Sequence, residues 1–227
     1  MLLFSREVAP DLRFAAWKVE ESPDFFRDQL PLTPEEQLEL SQRQHPLRQS
    51  EWLASRWLLH LLTGAGDRMT LRKTATSKPF FLDAPQLHCS LSHSHGTVAA
   101  LLSSTVCGCD IQAIVPKMPR IAPKFMREDE LEWAESRQDA DYRLDMMHLI
   151  WTAKEAMYKA YGLKAVDFKA HLYITPFDWE RTAIHTSAGR LIQPGFQQDF
   201  ELFSGFFDDE HTAFVWTVAK YLAENQG

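Results

Sequence analysis

Trp151-Thr-Ala-Lys154-Glu155-Ala-Met-Tyr-Lys159 decides how this chain is read. The run is helix-like, and Glu155 and Lys159, four residues apart, share one helix face. Upstream stands Gly108-Cys-Asp110-Ile-Gln112, a strand-like stretch that puts Asp110 and Gln112 on one face. Aspartate is depleted in strands, so Asp110 points to a specific task. By spacing alone, Glu155 and Lys159 would be a solvated ion pair worth roughly 0.2–0.5 kcal/mol. With Asp110 added, two carboxylates and a lysine suit a hard cation such as Mg²⁺, which takes oxygen ligands, keeps several waters and completes its shell with phosphate oxygens. The pattern points to phosphoryl-type chemistry.

These two motifs resemble those of the 4′-phosphopantetheinyl transferases of the surfactin-synthetase-activator type, marked by a G-x-D-x-E strand and a W-x-x-K-E-A/S-x-x-K helix. Weaker landmarks follow the same order. Lys78-Pro79 is similar to the family's G-K-P, with Ser77 in place of the glycine. Ser90-Leu-Ser92-His93-Ser94 is similar to S-x-S-H-S, and Phe125-Met-Arg-Glu-Asp-Glu130 to F-F-x-x-x-E. The chain departs from the pattern at Gln112, where the family has a second strand carboxylate, and at Tyr161-Gly162-Leu163-Lys164, where a glycine-lysine-glycine often follows the helix. Glutamine offers only a neutral carbonyl oxygen, a weaker ligand for a hard cation.

The resemblance implies an α+β fold of two pseudo-symmetric α/β halves with the active site in the cleft between them. It implies a Mg²⁺-dependent transfer of the 4′-phosphopantetheine arm of coenzyme A to a serine of an apo acyl or peptidyl carrier protein, releasing adenosine 3′,5′-bisphosphate. This is an activity of the holo-[acyl-carrier-protein] synthase kind. Asp110 and Glu155 are then metal ligands, with Gln112 or a water completing the set, and Asp110, Glu155 and Lys159 form the catalytic group. Glu155, or a water it orients, takes the proton of the attacking hydroxyl, a role that competes with metal ligation. Lys159 stabilises phosphate oxygens as a compact point charge. Arg48 and Lys73 are candidates for the coenzyme's 3′-phosphate, with Lys78 and His93 as further phosphate contacts. Lys154 reads either as a surface group or as a phosphate contact, Glu130 as a supporting acceptor, Arg56 as structural and Trp151 as core packing with Met147 and Ile150. Because Gln112 weakens the metal set, a coenzyme A- or carrier-binding protein with weak or no turnover is the alternative, and an unrelated phosphohydrolase a third.

Composition sets outer limits. The 227 residues can bury a sizeable core as one large or two small domains. A formal net charge of −7 argues against a general nucleic-acid partner, and no apolar run approaches the ~20 residues of a membrane span. Met-Leu-Leu-Phe-Ser-Arg-Glu at the start lacks the pattern of a secretory signal, so a cytoplasmic protein is expected. It is also expected to be a monomer, since two halves in one chain need no partner subunit. Cys89, Cys107 and Cys109 read as buried apolar thiols rather than disulfides or zinc ligands. The carrier proteins that the resemblance implies are acidic, so docking on a chain of this charge calls for a local basic patch or apolar contact. Basic residues do gather at Arg43, Arg48, Arg56, Arg68, Arg72, Lys73 and Lys78.

Along the chain, residues 12–19 read as the first strand. Thr33-Pro34-Glu-Glu36 opens a helix with a capping box, and His45-Pro46 begins a second that Gly64 ends, with Leu53, Trp57, Leu58, Leu61 and Leu62 at helical spacing. Short strands are predicted over 70–75 and 79–82, then three successive strands over 87–91, 97–102 and 106–114. The loop SHSHG places His93 between strands, and Pro116 and Pro119 mark a linker. The expected division is therefore 1–115, carrying the coenzyme phosphate contacts, and 116–227, carrying the metal-binding and catalytic helix. In the second part, helices are predicted near 127–138 and 142–161, and strands near 169–175, 182–186, 198–204 and 211–220.

Overall fold

The first sheet begins at a strand with little sequence signal. Leu2–Ala9 (β1) is an edge strand with no buried residue, so no apolar alternation announces it, and the first strand expected is in fact the second. It turns at Asp11, whose φ is +64°, into Leu12–Lys18 (β2). The short helix Pro23–Gln29 (α1), also not anticipated, buries only Phe26 and is capped by Ser22. Helices Pro34–Ser41 (α2) and Pro46–Thr63 (α3) then lead to strands Leu71–Lys73 (β3), Pro79–Phe81 (β4), His88–Ser94 (β5) and Thr97–Ser103 (β6). The capping box forms as read: Glu36 N donates to Thr33 Oγ1 at 3.3 Å and Thr33 N to Glu36 Oε2 at 3.1 Å. The sheet runs β1-β2-β6-β5-β4-β3, antiparallel throughout.

The computed structural model describes residues 1–222, and its contacts divide the chain into two units, Met1–Ser104 and a second beginning at Thr105. The core of the first unit lies between α3 and the sheet. Leu53, Ala54, Leu58, Leu59 and Leu62 pack with Ala15, Val98, Ala100 and Leu102. Leu61, expected on the apolar face, is 45% exposed, because the contact face is centred on Leu58.

The division corrects the expected boundary at 115/116. Strand Cys107–Ala113 (β7) does not continue the first sheet. It pairs with Ala213–Tyr221 (β11), Asp110 standing opposite Thr217, and so carries Asp110 into the second unit. That unit continues with Met118–Ile121 (α4), a 3₁₀ turn Ala122–Lys124, Glu128–Glu135 (α5), Ala140–Tyr161 (α6), Phe168–His171 (α7), Leu172–Ile174 (β8), His185–Gln193 (β9) and Phe196–Asp208 (β10). The sheet order is β7-β11-β10-β9-β8, all antiparallel. Prolines 116 and 119 thus lead into a short helix rather than a linker, Pro119 sitting in its first turn. The start of the strand expected over 169–175 is instead α7, capped by Asp167. Residues 223–227 of the expected second half lie outside the described residues.

The fold is α+β: each unit sets one long helix against an antiparallel sheet. In the second unit, Leu149, Ile150, Ala153, Ala156, Met157 and Ala160 of α6 meet Leu172, Leu191, Phe200, Leu202, Val215 and Ala219. A buried polar trio pins helix to sheet, Thr217 Oγ1 lying 2.9 Å from both Thr152 Oγ1 and Ser204 Oγ. Arg181 grips Asp145 of α6 with two hydrogen bonds of 2.7 Å. No described helix is long and apolar enough to cross a membrane.

His148 ties α6 to the chain leaving β7. It is fully buried; its Nε2 accepts from Val115 N at 3.0 Å, so the proton sits on Nδ1, which donates to Leu144 O at 2.8 Å. Burial lowers its pKa against the opposing effects of Leu144 O and Asp145. A histidine with a depressed folded pKa stabilises fully above its unfolded value of about 6.5, and that contribution is lost as pH falls through the folded value. Melting temperatures measured from pH 7.5 to 5 should therefore fall more steeply for the wild type than for His148→Gln.

Candidate functional site

The site in the second unit depends on how closely β7 approaches α6. A Cβ at Gly108 would lie 2.2 Å from Ala156 O and 2.4 Å from Ala160 N, both backbone atoms that cannot move aside. Only glycine lets strand and helix meet here. Two residues on, Asp110 is on the same face, and its Oδ1 accepts from Lys159 Nζ at 2.8 Å. Asp110 is 6% exposed and the Lys159 side chain half-buried. Burial opposes the charge on Lys159, but Asp110, Cys109 and Glu155 outweigh it, and its pKa is raised.

Glu155 sits one turn before Lys159 on α6. Burial first, and then the charge of Asp110, push its carboxyl up to about 7, with Lys159 pulling the other way. Two carboxylates therefore share one partly dry site with a single lysine between them, an arrangement that resists double ionisation unless more positive charge arrives. Gln112, on the same strand face as Asp110, is half-buried and its Nε2 donates to Ala113 O at 3.2 Å, which leaves its carbonyl oxygen as the donor. The set holds oxygen donors only and carries surplus negative charge. Among the described residues no group of three or more His, Cys, Asp and Glu is placed to hold a metal. The donors fit an ion that binds one or two carboxylates and keeps waters, as Mg²⁺ does, and not an all-protein cage. Cys89, Cys107 and Cys109 are buried thiols, not joined in a disulfide.

Lys154 corrects an expectation. Its side chain is fully buried; Nζ donates to Glu130 Oε2 at 2.6 Å, Phe125 O at 2.8 Å and Phe168 O at 3.0 Å. Three acceptors take its three N–H groups, so neither the surface nor a phosphate contact is left to it. Glu130 is equally committed, since it also accepts from Arg127 N at 2.9 Å and Ile174 N at 3.2 Å. The pair fastens α6 to α5, and Trp151 packs beside it on Phe125 and Phe168, at ring distances of 4.9 and 5.8 Å.

The first unit holds the other candidates. A cavity of about 230 Å³ is lined by Arg43, Arg48, Trp52, Arg56, Lys73 and His93, with Glu51, Ser55, Ser77, Pro79 and Leu91 completing it. His93 belongs to β5 rather than to a loop: the turn is the two-residue pair His95-Gly96, both at positive φ, a tight hairpin form. Arg48 bonds Glu51 at 3.0 Å and stands 3.3 Å from His93 Nδ1. Lys73 pairs with Glu39. Lys78 lies in the β3–β4 hairpin, where Thr74 N donates to its carbonyl at 2.9 Å, and it is not part of the cavity wall, although both neighbours are. Ser77 has a φ of +71°, the backbone region where glycine is at ease, which accounts physically for the glycine of the G-K-P pattern. Arg43 belongs to the basic cluster read from the sequence, whereas Trp52 in the wall and Glu39 behind it carry no sequence signal that pointed to the cavity.

A strand carboxylate thus lies under a helix that supplies a second carboxylate and a lysine, the grouping that the sequence motifs suggested. Residues 106–218 match the family model described as 4′-phosphopantetheinyl transferase superfamily, and through this stretch the chain belongs to that superfamily. Among curated relatives, the 4′-phosphopantetheinyl transferase gsp of Aneurinibacillus migulanus is 30% identical over 112 residues, 49% of this chain and 46% of that protein. The 4′-phosphopantetheinyl transferase AcpT of Escherichia coli K12 is 35% identical over 121 residues, 51% of this chain and 59% of that protein. The matched stretches span about half the length of these relatives.

Two substitutions test the architecture. Lys154→Met leaves Glu130 buried and unpaired and should cost about 3–5 kcal/mol in denaturant unfolding, with a smaller loss when Glu130→Leu is added. Gly108→Ala forces β7 off α6 and should cost about 1–3 kcal/mol in the same measurement.

Proposed function

We propose that this protein transfers the 4′-phosphopantetheine arm of coenzyme A to a serine of an apo acyl or peptidyl carrier protein and releases adenosine 3′,5′-bisphosphate. The observation that carries the reading is the 2.8 Å contact of Lys159 with Asp110, with Glu155 one turn away on the same helix. The serine Oγ forms a bond to the phosphorus that bears pantetheine, the pyrophosphate bridge breaks, and the adenosine bisphosphate leaves with the bridging oxygen. Lys159 offsets charge on the phosphate oxygens. Glu155, directly or through a water it orients, takes the serine proton. Asp110 holds Lys159 in place. Asp110 and Glu155, with the carbonyl of Gln112, would hold Mg²⁺, which when bound neutralises charge on the pyrophosphate. Catalysis of this kind is mostly positioning and charge neutralisation.

In the first unit, Arg48, Lys73 and His93 are read as contacts for the coenzyme's 3′-phosphate. Arginine's planar fork suits a phosphomonoester, and the cavity is of a size for one such group rather than the whole coenzyme. The reading places the enzyme with the cytoplasmic, monomeric members of its kind.

Intact-protein mass spectrometry of a panel of apo carrier proteins, incubated with the protein, coenzyme A and Mg²⁺, tests the reading. A serine-bearing carrier should gain the mass of one phosphopantetheine arm. Asp110→Ala and Glu155→Ala should each lower the rate by about 100-fold or more while the fold is kept; full activity in either would overturn the site. Coenzyme A binding without transfer to any carrier would favour a binding protein, and Gln112→Glu, restoring a third carboxylate, would then be expected to create Mg²⁺-dependent transfer.

A further inference from the structure

The cationic wall of the first-unit cavity is held from behind by one acid. Glu39, on α2, is outside the cavity lining, yet four wall residues meet its carboxylate. Its Oε1 accepts from Trp52 Nε1 at 3.1 Å, from Arg43 Nη2 at 3.0 Å and from Lys73 Nζ. Its Oε2 lies 3.6 Å from Arg56 Nη2. Arg43 and Arg56 in turn both meet the indole of Trp52, at 5.3 and 3.4 Å from its ring. Burial works against the charge of Glu39, but Lys73, Trp52 and Arg56 prevail and hold its carboxyl at about 2.

Arg56 shows why the tether is needed. Its side chain is 5% exposed and stacked on Trp52, and among the described residues its Nε has no hydrogen-bond partner. Glu36 is 3.7 Å away but is engaged by Arg68, whose Nη1 donates to it at 2.7 Å. Burial pushes Arg56 down to about 9 despite both carboxylates. The cluster therefore sets Arg43, Arg56, Arg68 and Lys73 against Glu36 and Glu39, leaving two positive charges in excess at the cavity.

We propose that Glu39 is a positioning residue that makes this cavity selective for a phosphomonoester: it fixes Arg43, Trp52, Arg56 and Lys73 in the arrangement that recognises the 3′-phosphate of coenzyme A. The inference deepens, and rests on, the transferase reading. Two effects of Glu39 on an anion have opposite sign, which makes the test decisive. A buried acid near the cavity repels a phosphate, so its removal would strengthen binding if charge alone mattered. An acid that orders four donors strengthens binding by sparing their ordering on association. Because one oxygen collects three donors, from α3, from β3 and from the connection between α2 and α3, the ordering effect prevails.

Isothermal titration of coenzyme A and of 3′-dephospho-coenzyme A, which lacks only the recognised group, reads the proposal as the ratio of the two affinities. Glu39→Gln should lower that ratio at least about fivefold, roughly 1 kcal/mol, while the affinity for the dephospho compound is retained. A merely structural defect would lower both affinities together. A ratio unchanged or raised in Glu39→Gln would overturn the inference. Should this variant melt below the assay temperature, Glu39→Asp, which keeps the charge but shortens the reach, reads the same ratio with the same expected fall. Arg48→Ala and Lys73→Ala separate the two levels of the argument. If they lower the ratio and the Glu39 variants do not, only the role of Glu39 fails. If they leave it unchanged as well, the cavity is not the phosphate seat and its reading fails with the inference.

Discussion

The chemistry of the second unit depends on one contact without side chains, the approach of β7 to α6 at Gly108. Where a Cβ would sit, the carbonyl of Ala156 is 2.2 Å away, so a side chain of any size would lever the strand off the helix. Everything that brings Asp110 under Lys159 follows from that approach. The pairing of β7 with β11 sets the register, the Thr152–Thr217–Ser204 trio keeps the helix from sliding, and the strand period then puts Asp110 and Gln112 on the side where α6 lies. Packing density, not a hydrogen bond, decides where the carboxylate stands.

The same helix shows how one motif serves two purposes. Lys154 and Lys159 are five residues apart, far enough round the helix to face different surroundings. Lys154 points into a dry pocket where a carboxylate and two carbonyls saturate its ammonium. Lys159 points to a site where two carboxylates compete for it. Desolvation of a lysine is tolerated in the first place because every proton is matched, and in the second because the surrounding charge is negative. The motif is as much a fastening between α6 and α5 as a chemical device.

Much of this was legible in the sequence, and the parts that were not share a cause. Helical period, the Thr33–Glu36 box and the Gly64 stop located α2 and α3 because those signals are local. Spacing fixes which face Glu155 and Lys159 share on the helix and which face Asp110 takes on its strand, but it is the order of the two motifs and their family resemblance that joins them. The partner of β7 was not legible: its pairing with β11 is made across about a hundred residues of chain, and nothing in Cys107–Ala113 distinguishes it from a third strand of the preceding meander. Lys154 was misplaced for a related reason. Its acceptors come from residues 125, 130 and 168, and sequence spacing says nothing of carbonyls delivered by other elements. His93 was set in a loop because serine, histidine and glycine look like one, although the hairpin needs only His95 and Gly96 to turn.

The division of the chain at Ser104 has a bearing on how such proteins are recognised. The family match over residues 106–218 lies wholly within the unit that begins at Thr105, which holds Asp110, Glu155 and Lys159. The arginine-lined cavity and its anchoring acid belong to the other unit, outside that match. The match over that stretch therefore covers Asp110, Glu155 and Lys159 and leaves out the cavity, of which only short landmarks such as Ser77-Lys78-Pro79 and Ser92-His93-Ser94 resemble the family; grouping these proteins by ligand preference requires comparing their first hundred residues as well.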